Sequence, residues 1–251
     1  MPTVALEGGH AGFGVTPGKR TPAGEYEWDF NNKVVLAAIK YLNEYENVKI
    51  IRLDDPTGRR DIPLKERTDK ANKAKADVLI SMHHNANTGK WGNWTGTETY
   101  HYPNSASGLK LARAIHPRLC KAYGIHDRGI KSANFHMLRE SNMPAVLPEG
   151  GFMDSTIDIH KLRNDKVLDD AGKAIAEGVA EYLSLKKKVV STPPKKEVVT
   201  VASNDIHKVS DWAKESVEIA KKLGITDGTR MQASATREEI VTMLVRALNL
   251  K

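Results

Sequence analysis

From residue 3 to about residue 183, short apolar runs alternate with longer stretches in which apolar residues return every three or four positions. The short runs are Val4 to Leu6, Val48 to Leu53, Val78 to Met82, Thr97 to Tyr102 and Ala145 to Leu147, each bounded by polar or turn-forming residues as strands are. The longer stretches, Phe30 to Leu42, Leu64 to Ala76, Ser107 to Tyr123 and Asp165 to Leu185, carry a helical period. Strands separated by helices predict an α/β fold with a mostly parallel or mixed central sheet and helices packed on its faces. The pattern thus outlines a first domain over residues 1–185.

Past that point the pattern changes. Consecutive lysines from Lys186 to Lys188 and the pair Pro193-Pro194, which cannot sit inside a helix or a central strand, predict a linker over 186–204. In the remaining segment, 205–251, Trp212, Ile219 and Leu223 recur at helical spacing and Gly224 is placed to cap the helix. Thr236 and Glu239 form a capping box that opens a second helix with Ile240, Leu244 and Leu248 on its apolar face. A small helical domain is expected. Two such helices bury little apolar area alone, so dimerisation through this domain, or docking, is expected as well.

Composition narrows the function classes. Of the 251 residues, 40% are hydrophobic and 27% charged, which excludes a disordered chain. A single cysteine, Cys120, excludes an intrachain disulfide and a cysteine metal cluster, so metal chemistry is expected from histidine and carboxylate; Cys120 itself is assigned a packing role. The net charge of +7 suits an anionic partner such as a bacterial wall polymer. Few aromatics, and lysines scattered over helix faces, argue against nucleic acid. No apolar stretch is long enough for membrane insertion, and the first residues run into a strand without a secretory-leader pattern.

Four separated segments place metal-capable or acidic residues just after a strand or at a helix start: Glu7-Gly8-Gly9-His10-Ala11-Gly12, Glu27-Trp28-Asp29, Ser81-Met82-His83-His84-Asn85-Ala86, and Pro144 to Phe152 with Glu149. Strand carboxyl ends and helix amino ends share one edge of an α/β sheet, so these segments can converge on one crevice. Two imidazoles and a carboxylate with an open fourth position make a catalytic zinc site of the hydrolytic kind. The glycine loop lacks the spacing of a dinucleotide-binding turn, and Pro17 interrupts the helix that should follow it.

These four ordered motifs, with Leu64, Arg67, Ala71 and Asn72 in a helix between them, resemble the type 3 family of N-acetylmuramoyl-L-alanine amidases, found in bacterial autolysins and phage endolysins; the resemblance covers residues 3 to 183. It implies that His10, Glu27 and His83 bind Zn2+ and that Glu149 is the catalytic carboxylate. It implies peptidoglycan as the substrate, cut between N-acetylmuramic acid and L-alanine. Trp28 stands where the family has a basic residue, and Glu25 is a rival to Glu27 as ligand. His84 is expected to point away from His83, because strand neighbours face opposite sides. His101, His116, His126, His136, His160 and His207 read as hydrogen-bonded structural residues, with a substrate role left open for His126 and His136. Trp91 and Trp94 could stack on sugar rings or pack against the domain. The stretch Ser210 to Glu239 resembles one S-layer homology motif, which implies binding to anionic secondary wall polymers. Together these features outline a phage endolysin, made in the host cytoplasm and acting on the cell wall. A zinc peptidoglycan peptidase or carboxypeptidase, and a catalytically inactive wall-binding protein, are the alternatives.

Overall fold

The computed structural model describes residues 1–188 and 214–224, and the chain divides into two compact units, 1–189 and 190–251. In the first unit the order is β1 (Thr3–Gly8), α1 (Glu27–Leu42), β2 (Lys49–Arg52), α2 (Leu64–Lys73), β3 (Val78–Asn85), β4 (Thr97–His101), α3 (Ala106–Tyr123), β5 (Asp127–Ser132), α4 (His136–Arg139), β6 (Ala145–Phe152), α5 (Ile159–Leu162) and α6 (Asp165–Leu183). The strands form one sheet in the order β2-β1-β3-β6-β4-β5. It is parallel except where β4 runs against β6, so the sheet is mixed.

Alternation within the strands sorts side chains onto two cores. Val4 and Leu6 of β1, Val78, Ile80 and Met82 of β3, and Val146 of β6 meet the apolar faces of α1, α3 and α6. Their neighbours Ala5, Leu79, Ala145 and Leu147 face the other way, onto Ala71 of α2 and Met137 and Leu138 of α4. In α1 the buried residues Glu27, Asn31, Val34, Val35, Ala38 and Leu42 keep the helical stripe, and the helix begins three residues before the apolar pattern does. α1 packs closely on α6 at Gly172, where an added Cβ would lie 2.4 Å from the Ala37 Cβ. The edge strand β5 and the short α4 and α5 lack a sequence signature: β5 reads Asp-Arg-Gly-Ile-Lys-Ser and buries no side chain fully.

The chain passes from β1 to β2 on one side and then from β2 back across to β3 on the other, so β1 lies between β2 and β3. Such a switch point opens a crevice at the strand carboxyl ends. At residues 186–188, inside the predicted linker, Glu46 donates to the Lys186 carbonyl and Lys188 to the Glu44 carbonyl, which ties that stretch to the turn after α1. In the second unit, α7 (Lys214–Lys222) is followed by Gly224 at φ +67°, the left-handed cap conformation expected there. The rest of the linker, His207, and the second helix expected from Thr236 lie outside the described residues. No helix among the described residues is long and apolar enough to cross a membrane.

Candidate active site

The crevice is built from the ends of β1, β3 and β6 and the first turn of α1. β1 ends at Gly8, and His10 follows at φ +66°, a left-handed conformation that an L residue adopts only when its surroundings hold it. Buried Arg67 of α2 holds it. Its guanidinium donates to the carbonyls of Gly8 (3.2 Å) and His10 (3.1 Å), and pairs with Glu7 (2.6 Å) and Asp61 (2.9 Å). Glu7, fully buried, also accepts from the Ser81 hydroxyl. Gly9 must be glycine for a different reason: a Cβ there would lie 1.9 Å from Cε1 of His83.

Glu27 opens α1, where the helix N-terminus favours a negative charge. One of its oxygens lies 3.2 Å from His10 Nε2 and the other 2.9 Å from His83 Nδ1. The two imidazole rings stand edge to face with centroids 5.0 Å apart. Ligand atoms from His10, Glu27 and His83 all fall within 4.8 Å of one another. Asn31, one turn along α1, donates to both the Gly9 carbonyl and Glu27 (3.2 Å each) and so locks loop and carboxylate together. Burial opposes the charge on Glu27, but hydrogen bonds from His10 and His83 outweigh it and hold the carboxyl well below the usual range. On His83 burial likewise disfavours the cation, and the Glu27 carboxylate overrides it, pushing the imidazole up to about 9. A negative carboxylate between two imidazoles is the electrostatic setting of a cation site.

Glu25 is elsewhere. Both its oxygens accept from Arg163 (2.8 and 2.7 Å), so the structure brings Glu27, not Glu25, to the histidines. His84 points to the opposite face, as alternation demands: Nδ1 meets Asn31 Oδ1 at 2.7 Å and Nε2 meets the Tyr123 hydroxyl at 2.8 Å. Burial pushes it down to about 3, so it stays neutral.

Glu149 lies on β6 in register with His83 of β3 on one side and Glu98 of β4 on the other. The residue is half-buried, yet its Oε2 is shut off from solvent and has no hydrogen-bond partner. Burial pushes the carboxyl up to about 8; His83 opposes this, while Glu27 and Glu98 reinforce it. An orphaned polar atom is costly in a packed interior, so its position beside the triad points to chemistry rather than to folding. Glu98 escaped the sequence analysis. It is buried, accepts from Asn85 (3.0 Å) and the Tyr100 hydroxyl (2.6 Å), and pairs with Arg128 (2.7 Å) and Lys131 (2.5 Å). A carboxylate in the middle of a strand was its one sequence signal.

Of the two tryptophans, Trp94 packs, donating to Asp154 at 2.7 Å, while Trp91 is partly exposed with the Arg163 guanidinium 5.9 Å from its ring. His136 meets the Thr68 hydroxyl of α2 (3.3 Å), and His101 meets the carbonyl of its neighbour Tyr102 (2.8 Å). A cavity of about 430 Å³ opens beside the triad, walled by His10, His83, Asp61, Ile62, Leu64 and Arg67.

Comparison with known proteins decides the kinship of this arrangement. The family model Amidase_3, described as N-acetylmuramoyl-L-alanine amidase, matches residues 4–181. The chain belongs to this family. It is 40% identical over 149 residues to the N-acetylmuramoyl-L-alanine amidase CwlM of Bacillus licheniformis, covering 58% of this chain and 55% of that protein. It is 44% identical over 139 residues to the endolysin of Bacillus phage SPP1, covering 53% of this chain and 49% of that protein. The chain thus spans about half the length of these two relatives. A crystal structure of an N-acetylmuramoyl-L-alanine amidase from Clostridium difficile 630 superposes with a TM-score of 0.66 at 34% identity, covering 73% of this chain and 97% of that one.

Proposed function

We propose that this amidase is zinc-dependent, that it hydrolyses the bond joining the lactyl group of N-acetylmuramic acid to L-alanine in peptidoglycan, and that it serves as a phage endolysin. The observation that carries the reading is the convergence of His10, Glu27 and His83 beside a carboxylate, Glu149, whose inner oxygen has no partner. The donor set, two imidazole nitrogens and a carboxylate oxygen, fits zinc with a position left open. When bound, zinc supplies Lewis acidity, polarising the amide carbonyl and acidifying water near neutral pH.

The side chains would do the rest. Glu149, raised to about 8, takes a proton from the attacking water and hands it to the departing amine of L-alanine, which needs a group able to serve as base and then acid near neutrality. Glu27, ionised throughout, keeps both imidazoles turned inward, and Arg67 fixes the His10 backbone. Asp61, Ile62 and Leu64 form a wall against which the substrate lies. The likeness to the SPP1 endolysin supports the lytic role. Residues 205–251 would hold the enzyme on anionic secondary wall polymers and pair two chains. Co-sedimentation with polymer-stripped walls tests the first of these, and analytical ultracentrifugation the second.

The test is digestion of purified Gram-positive peptidoglycan with identification of the fragments by mass spectrometry. Intact stem peptides beginning with L-alanine, absent after chelation and regained with zinc, are expected. Cleavage inside the peptide would assign the site to a peptidase, and no release by the zinc-loaded protein would leave a wall-binding role.

A further inference from the structure

A second cluster of metal-ligating side chains lies away from the triad, where the end of α3 meets the edge strand β5. His116 and Cys120 stand four residues apart and so share one face of α3. Asp127 opens β5. The imidazole Nε2 of His116 is 2.8 Å from Asp127 Oδ1 and 3.4 Å from Cys120 Sγ. Ligand atoms of all three fall within 4.8 Å of one another, as do those of the triad. We propose that His116, Cys120 and Asp127 form a second binding site for a transition-metal cation of the zinc class, separate from the catalytic centre.

Geometry supports the assignment. With bonds of about 2.3 Å to sulfur and about 2.0 Å to nitrogen, an ion spanning the sulfur-nitrogen gap makes an angle of roughly 100°, close to tetrahedral. The nitrogen-oxygen pair must open by only about 0.5 Å for the same angle, and the Asp127 side chain is exposed and free to give. The other ring nitrogen of His116, Nδ1, lies 3.0 Å from the Thr99 hydroxyl. A proton held on Nδ1 by Thr99 leaves the Nε2 lone pair directed at the site, the outer-shell arrangement that metal-binding histidines use.

Such an ion would pin α3 to β5 ahead of Arg128 and Lys131, the two cations that hold Glu98 in register with Glu149. Asp127 already accepts from the Gly129 amide at 2.7 Å, at the bend leading into that pair.

The single cysteine supplies a clean readout. The catalytic triad has no sulfur, so a sulfur-to-cobalt charge-transfer band in the near ultraviolet can come only from Cys120. The full-length protein, freed of metal and kept reduced with a phosphine, is titrated with cobalt(II), and binding is counted by calorimetry. Two ions per chain and a charge-transfer band are expected. The band should survive Glu27→Gln and vanish in Cys120→Ser, while His116→Gln and Asp127→Asn should weaken the affinity behind it at least tenfold. Circular dichroism checks that each variant is folded. One ion per chain with no band overturns the site, and so does a band that His116→Gln and Asp127→Asn leave at unchanged affinity, because the thiol would then be binding alone.

Discussion

Replacing Glu149 by glutamine separates what this side chain does for the reaction from what it does to the fold. The carboxyl is pushed up to about 8 from an ordinary 4.5. An acid whose folded-state pKa is raised contributes stability that is complete below pH 4.5 and is lost as pH rises through about 8. At about 1.4 kcal/mol per unit, the cost of keeping Glu149 in the metal-free fold at pH 7 is at most about 3 kcal/mol. Its partial contact with solvent reduces that to about 1 to 2 kcal/mol. Glutamine has the same shape and no charge to bury. Chemical denaturation of the chelated protein should therefore find Glu149→Gln more stable than the parent by about 1 to 2 kcal/mol at pH 7, with the gap closing by pH 4, where both states of the parent are protonated. Turnover of the zinc-loaded variant should fall by roughly 100- to 10,000-fold, the usual worth of a general acid-base. A variant destabilised at both pH values, or one within tenfold of parental activity, would refute the assignment of Glu149 as a buried proton carrier.

Other substitutions test the parts around it. Gly9→Ala drives a methyl into the His83 ring, so zinc content measured by atomic absorption should fall by about one ion per chain relative to the parent while the far-ultraviolet spectrum is unchanged; parental zinc content would contradict the close approach. Arg67→Met leaves Glu7 buried without its cation and should cost about 3 to 5 kcal/mol of stability in urea unfolding, against under 1 kcal/mol if the pair were a surface bridge. Glu98→Gln removes a negative charge that helps keep the Glu149 proton in place, so the acid limb of the pH-rate profile should move to lower pH; a shift to higher pH would reverse the electrostatic account.

How much of this was legible in the sequence depends on whether a residue's partner is near in pattern. His10, His83 and Glu149 could be found because each follows a short apolar run, and the carboxyl-terminal parts of strands in an α/β sheet gather at one edge. The opposite facing of His84 followed from alternation alone. The choice between Glu25 and Glu27 needed the helix start, which the apolar pattern placed three residues late because α1 begins with a buried carboxylate rather than a hydrophobe. The Arg67–Glu7 pair joins residues 60 apart, and nothing local announces an ion pair between two elements. β5 was missed since an edge strand with one covered side needs little apolar sequence. The apposition of Cys120 and Asp127 depends on that same strand, so the cysteine read as mere packing.

The most direct test of the central claim is hydrolysis of peptidoglycan in water enriched with oxygen-18, followed by mass analysis of both products. An amidase working through the His10, Glu27, His83 and Glu149 site places the label in the lactyl carboxylate of N-acetylmuramic acid and releases unlabelled stem peptide with a free L-alanine amine. Label in a carboxylate within the stem peptide would contradict the account.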